Sequence, residues 1–184
     1  MPHYAQAQAM NQQCDMKKII FLDFDGVLNT GHYQGLLKYQ GQPWQDEYGA
    51  IFDPNAVKQL KRIIDATGAE IVVESSWKYL GVDAMKELWK ARNLPGKIID
   101  ITPSSVSDDY LLNADIESVH LCKGMEIAFW ISEYGSPDTR YVIIDDECVV
   151  LDSQAPHFIK TDSNKGLTND QADRAIHILN RVTI

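Results

Sequence analysis

KKIIFLDFDGVLN, residues 17–29, runs an apolar, β-branched segment straight into two aspartates and a glycine. The stretch from Ile19 to Leu22 reads as a strand buried on both faces, because its hydrophobicity is continuous rather than alternating. Asp23 and Asp25 stand two residues apart, which in extended backbone sends both side chains the same way, and Gly26 lets the chain turn directly afterwards. Such a pair can divide labour. One carboxylate attacks phosphorus and forms an acyl phosphate, while the other donates a proton to the leaving oxygen and later takes one from water.

The same D-x-D-G spacing also opens a calcium loop. An EF-hand, however, needs a third oxygen ligand before its glycine and a glutamate at its twelfth position. Here Gly26 follows Asp25 directly and the twelfth position is Gln34, whose neutral amide cannot act as a bidentate carboxylate. The calcium reading fails.

Outward from this stretch, further short apolar runs recur: EIVV from Glu70, KIID from Lys97, YVII from Tyr141 and HFIK from His157. Segments of helical period separate them. Asp53 can cap a helix that begins at Pro54, carries Ala56, Val57, Leu60, Ile63 and Ile64 as its stripe, and stops at Gly68. A second helix is expected around residues 83–93, a third from near Lys123 to Gly135, and a last one from the Thr168 capping box to about Arg181. This alternation predicts an α/β fold, a three-layer, doubly wound and mainly parallel Rossmann-like sheet. Residues 30–52 and 102–122 fit it poorly, and as long connections they are candidates for flaps or lids, the first being rich in aromatic rings.

In an open α/β sheet, ligands gather beyond the carboxyl ends of the strands. The residues found there are Asp23 and Asp25, then Glu74, Ser75 and Ser76, then Asp145, Asp146 and Glu147. Four aspartates on one sheet edge repel one another unless a cation is present, and magnesium, a hard ion that takes a few carboxylates and several waters, answers that need.

The 184 residues fit one domain, residues 17–184, behind a polar, low-complexity tail at residues 1–16. A net charge of -9 counts against nonspecific nucleic-acid binding, yet leaves small phosphorylated ligands held with a divalent cation open. Cys14, Cys122 and Cys148 are odd in number and widely spaced, so neither a zinc site nor a disulfide framework is expected. With no apolar stretch long enough for a bilayer and no secretion signal, the expected setting is the cytoplasm, without membrane partners.

Taken together, these motifs resemble the haloacid dehalogenase (HAD) superfamily of phosphatases and phosphotransferases over nearly all of residues 17–184. DFDGVLN resembles its first motif, which implies Asp23 as nucleophile and Asp25 as acid and base, with the Asp25 backbone carbonyl also on the metal. The resemblance further implies that Ser75 binds the transferring phosphate, with Ser76 as its competitor. Lys123 would be the basic residue of the third motif, with Lys78 and Lys165 as alternatives; at the start of a helix its cation is disfavoured by the dipole and calls for an anion nearby. In the fourth, Asp146 would be the direct magnesium ligand and Asp145 its partner. Glu74 departs from the small residue expected before the serine, and its direction is open.

The small layout, with SSW, the run KGMEI and the DD pair, is most similar to the HAD domain named for Swiss Army Knife RNA-repair proteins, with only a minimal cap. The function expected from this resemblance is magnesium-dependent hydrolysis of phosphomonoesters through an aspartyl-phosphate. The substrate would carry its phosphate on a nucleotide, a nucleic-acid end or a protein side chain. The alternative is a non-catalytic module of the same fold that senses a phosphorylated partner.

Overall fold

In a computed structural model, which describes residues 17–104, 116–148 and 150–181 apart from the side chains of residues 116–122, the chain forms a parallel sheet between two layers of helices. Residues 1–16 and 105–115, where a tail and part of a flap are expected, lie outside the described residues. Along the chain, β1 (Lys18–Leu22) leads to α1 (Gly31–Tyr39) and to a small hairpin, β2 (Gln45–Asp46) and β3 (Gly49–Ala50). Then follow α2 (Pro54–Thr67), β4 (Glu70–Val73), a 3-10 turn (Ser76–Leu80), α3 (Val82–Ala91) and β5 (Ile98–Ile101). The remainder is α4 (Ile116–Tyr134), β6 (Arg140–Asp145), a 3-10 turn (Asp152–His157), β7 (Phe158–Lys160) and α5 (Asn169–Asn180).

The main sheet has the order β5-β4-β1-β6-β7, with every pairing parallel. The chain steps from β1 to one side for β4 and β5, then returns to the other side for β6 and β7. The direction reverses at β1, so the carboxyl end of β1 is the switch point where an α/β sheet opens its crevice. Asp23 follows β1 there.

Period-two alternation sorts the strand residues between the layers. Ile19 and Phe21 of β1, Val72 of β4 and Ile143 of β6 pack with Ile127 and Trp130 of α4. Ile20, Leu22, Ile71, Val73, Val142 and Ile144 point the other way, into a larger core with Leu60 and Ile63 of α2, Met85 and Leu88 of α3, and Ala172 and Leu179 of α5. Each strand is therefore apolar on both faces, as its continuous hydrophobicity requires. Carried one step further, the same parity turns Asp23, Glu74 and Asp145 towards the α4 layer.

The local signals at α2 are realised in full. Asp53 accepts from the Asn55 N–H at 2.8 Å, Pro54 is the first helical residue, and Gly68 closes the helix at φ 67°. The other carboxylate oxygen of Asp53 accepts from the Thr30 hydroxyl at 3.0 Å, both residues being buried, and Thr30 in turn caps α1. Asp53→Ala removes a cap and strands a buried hydroxyl, so chemical denaturation should show a loss of about 2 kcal/mol. A loss under about 0.5 kcal/mol would mean that the tie between the two helices contributes nothing beyond an ordinary cap.

Residues 30–52 do not form the loop that their composition predicts. They hold α1, which buries none of its residues, and the β2–β3 hairpin. The support for α1 comes from far along the chain, since the N–H groups of Gly31 and His32 donate to the carbonyls of Ser163 and Asn164 at 2.9 and 3.2 Å. Phe52 joins the core, while Tyr39 stands in solvent.

Candidate active site

Asp23 is held from both sides. Its backbone N–H continues the β1–β6 ladder by donating to the Ile144 carbonyl at 3.1 Å, and one carboxylate oxygen accepts from the Phe24 N–H at 2.7 Å. The other oxygen accepts from the Lys123 ammonium at 3.2 Å, and the same ammonium donates to Asp145 at 2.8 Å. Asp23 and Asp145 are both buried.

Asp146 completes a group in which one oxygen from each of Asp23, Asp145 and Asp146 lies within 4.8 Å of the others. Gly26 makes room for it. Its φ of 69° favours glycine, and a Cβ at that position would collide with the Asp146 carboxylate. Three carboxylates face one ammonium, an excess of negative charge that a divalent cation would balance, and their hard oxygens are the donors magnesium takes. These residues fit the ion and could hold it.

The electrostatic consequences are legible in the carboxyls. Burial, then the charge of Asp23, pushes Asp145 up from 3.8 to about 6, although Lys123 pulls it down. Asp146 is raised by burial, by Asp23 and by Glu147. For Lys123, burial lowers the pKa, but Asp23 and Asp145 outweigh it and the ammonium is held more firmly than in water.

The Lys123 ammonium thus sits between Asp23 and Asp145, but its residue is not at a helix start. α4 is described from Ile116, and Lys123 lies about two turns inside, where its long side chain reaches over the sheet edge. The alternatives are placed elsewhere: Lys165 is exposed in the loop after β7, and Lys78 serves a separate network.

Lys78 donates to Glu74 at 3.0 Å, to Glu126 at 2.5 Å and to the Thr102 hydroxyl at 2.8 Å, while that hydroxyl donates to Glu74. Glu74 is therefore turned to the α4 side but committed to Lys78. Burial is the main cause that lifts Glu74 from 4.5 to about 7, opposed by Lys78 and Thr102 and reinforced by Glu126.

Ser75 is buried and accepts weakly, at 3.5 Å, from the Trp77 N–H at the start of the 3-10 turn. A hydroxyl that accepts there keeps its proton to donate elsewhere, so capping the turn and binding an oxyanion are compatible. Ser76 is exposed. Asp25 is exposed as well, outside the three-carboxylate group, and accepts from the Asn29 amide and, at 3.0 Å, from the Trp77 indole N–H. Partial desolvation raises its pKa, Trp77 lowers it, and Asp23 raises it again.

Raised carboxyls make stability depend on pH. Asp145 and Glu74 bind their protons more tightly folded than unfolded, so stability falls as pH rises from 3.8 to about 6 for the first and from 4.5 to about 7 for the second. A pKa displaced by one pH unit corresponds to about 1.4 kcal/mol, and the two carboxyls together amount to a few kcal/mol. Metal-free protein should melt higher at pH 5 than at pH 7.5. Magnesium should recover the Asp145 share, and Glu74→Gln should flatten the upper part of the profile. Identical slopes in wild type and variant would contradict the assignment to Glu74.

Comparison with known proteins agrees with this geometry. The family model described as the HAD domain in Swiss Army Knife RNA repair proteins matches residues 19–172. No curated protein and no solved structure gives a match. Hydrolase chemistry of the phosphatase type comes with that family assignment. Among the described residues no helix is long and apolar enough to cross a membrane.

Proposed function

Since the chain belongs to the family of HAD domains in Swiss Army Knife RNA repair proteins, we propose that it is a magnesium-dependent phosphomonoester hydrolase working through an aspartyl-phosphate at Asp23. The observation that carries this reading is the convergence of the Asp23, Asp145 and Asp146 carboxylates at the switch point of the sheet, with the first two bonded to the Lys123 ammonium. Asp145, Asp146, Asp23 and the Asp25 backbone carbonyl would hold the metal. When bound, it would offset phosphate charge that Lys123 alone cannot balance.

Lys123 and the Ser75 hydroxyl orient the phosphoryl group. An Asp23 oxygen attacks phosphorus, the bond to the leaving oxygen breaks with its electron pair, and that oxygen takes a proton from Asp25. Asp25 then accepts a proton from water as the water attacks phosphorus, which releases inorganic phosphate and restores the Asp23 carboxylate. The Phe24 N–H holds Asp23 in one rotamer throughout, so the attacking oxygen is pre-oriented.

Within this reading the partner is a phosphorylated substrate, with phosphate on a nucleotide, a nucleic-acid end or a protein side chain, in the cytoplasm. The short insert after Asn29 supports an open cleft, and the charge of -9 opposes a nonspecific grip on a polynucleotide. Two features would favour a non-catalytic sensor, a free Glu74 carboxylate in the site and a missing base. Among the described residues Glu74 is bonded to Lys78 and Lys123 lies at Asp23, which supports the hydrolase over the sensor.

The test is turnover of a generic aryl phosphate with and without magnesium. Metal-dependent release of phosphate is expected. Tight binding of a phosphate analogue without turnover on nucleotides, sugar phosphates and phosphopeptides would replace the hydrolase with the sensor.

A further inference from the structure

We infer that Trp77 is a positioning residue for proton transfer at Asp25, and that the β2–β3 hairpin sets its place; the inference rests on the phosphatase reading. A carboxylate that must protonate a leaving oxygen has to be held within hydrogen-bond reach and in one direction. Asp25 is exposed and stands just past a strand end, so it has rotamer freedom of its own. Its two oxygens are each fixed by a donor, the Asn29 amide and the Trp77 indole N–H. An indole N–H can only donate, so it stays bonded to an acceptor oxygen of Asp25 without competing for the proton that Asp25 delivers.

The indole is itself immobilised. Its ring meets Phe24 edge-on at 5.7 Å and Phe52 at 5.9 Å between centroids. Gly49 lies close to the same ring, and a Cβ on it would stand 2.8 Å from the indole. The hairpin carrying Gly49 is clamped by Arg92, which donates to Asp46 at 2.6 and 3.0 Å and to the carbonyls of Gly49 and Ala50 at 3.0 Å. The next residue after Trp77, Lys78, is tied to Glu74, Glu126 and Thr102. Two elements from either side of α2 in the sequence therefore converge on one N–H bond to the proposed acid.

Phosphate esters with poor leaving alcohols need the acid, because the departing oxygen must be protonated as its bond to phosphorus breaks; activated aryl esters do not. Trp77→Phe keeps a ring in the pocket and deletes the N–H. With magnesium present, it should lower kcat on an alkyl phosphate by about 10²-fold and on p-nitrophenyl phosphate by only about threefold, with KM near wild type for both. Gly49→Ala, which strains φ 108° and pushes on the ring, should show the same leaving-group bias and serves where Trp77→Phe does not fold. A uniform loss across the ester series in the folded variants, or no loss, overturns the inference and leaves the hydrolase standing. A wild type that hydrolyses none of the esters overturns the phosphatase reading, and this inference with it.

Discussion

Asp23→Asn should abolish phosphomonoester hydrolysis, with kcat falling by on the order of 10⁴-fold or more and the fold retained. An amide nitrogen or oxygen is too poor a nucleophile to form the covalent intermediate, yet it matches the carboxylate in shape and can keep the bond from the Phe24 N–H. The charge change has a second consequence that separates lost chemistry from lost structure. Asp23 is one of three carboxylates crowded about one ammonium, and its charge raises both Asp145 and Asp146. Neutralising it relieves that repulsion. The variant also gives up the bond from the Lys123 ammonium, which keeps Asp145 as its partner, so without metal it should melt close to wild type, and the rise in melting temperature on adding magnesium should be smaller. Residual turnover within about tenfold of wild type would remove Asp23 from the role of nucleophile.

Most of this site can be read from strand ends alone, for a physical reason. Parallel strands buried on both faces leave nearly unbroken apolar runs, and the first polar residues after them must lie at the carboxyl edge where the crevice opens. Parity then does the rest: Asp23 and Asp145 share a face because each stands an even number of residues beyond a side chain that packs on α4, Phe21 and Ile143. What depends on contacts between distant segments is not legible. α1 buries no side chain and is anchored through Ser163 and Asn164, so no periodicity announces it. Parity gives the face on which Glu74 stands, but its network with Lys78, Thr102 and Glu126, from three separate segments, has no sequence signal.

Lys123 and Trp77 mark two different limits of reading a site from residues. A family motif points to Lys123, but a helix terminus does not explain it, since the ammonium answers Asp23 and Asp145 rather than an end dipole. For Trp77 the sequence does carry a signal, though a faint one. A tryptophan directly after a buried strand and two serines brings an indole N–H that needs an acceptor, and the Asp23 and Asp25 pair at the neighbouring strand end offers carboxylate oxygens.

Lys123→Met should damage both stability and turnover, and the two losses should respond oppositely to conditions. Methionine preserves the unbranched apolar stem and deletes only the ammonium. In metal-free protein at pH 7.5 this leaves the buried Asp23 and Asp145 facing each other with Asp146 nearby, and breaking such a buried pair costs about 3–5 kcal/mol. The cost is tied to ionised carboxyls. Because Lys123 holds Asp145 down, its removal lets that carboxyl rise above about 6, so protonation on acidification should recover stability: a large deficit at pH 7.5 and a small one at pH 5. Magnesium should recover stability at pH 7.5 as well, by supplying the missing positive charge. Turnover should not follow. A cation aimed at the transferring phosphate is worth about 10²–10³-fold in rate, and charge supplied by a metal on the carboxylates does not replace a hydrogen-bond donor to the phosphate oxygens. Stability measured in urea at both pH values, beside kcat/KM at saturating magnesium, checks each half. Equal stability of variant and wild type at pH 7.5 without metal would show that Lys123 does not balance the acidic cluster, and full turnover would remove it from the phosphate site.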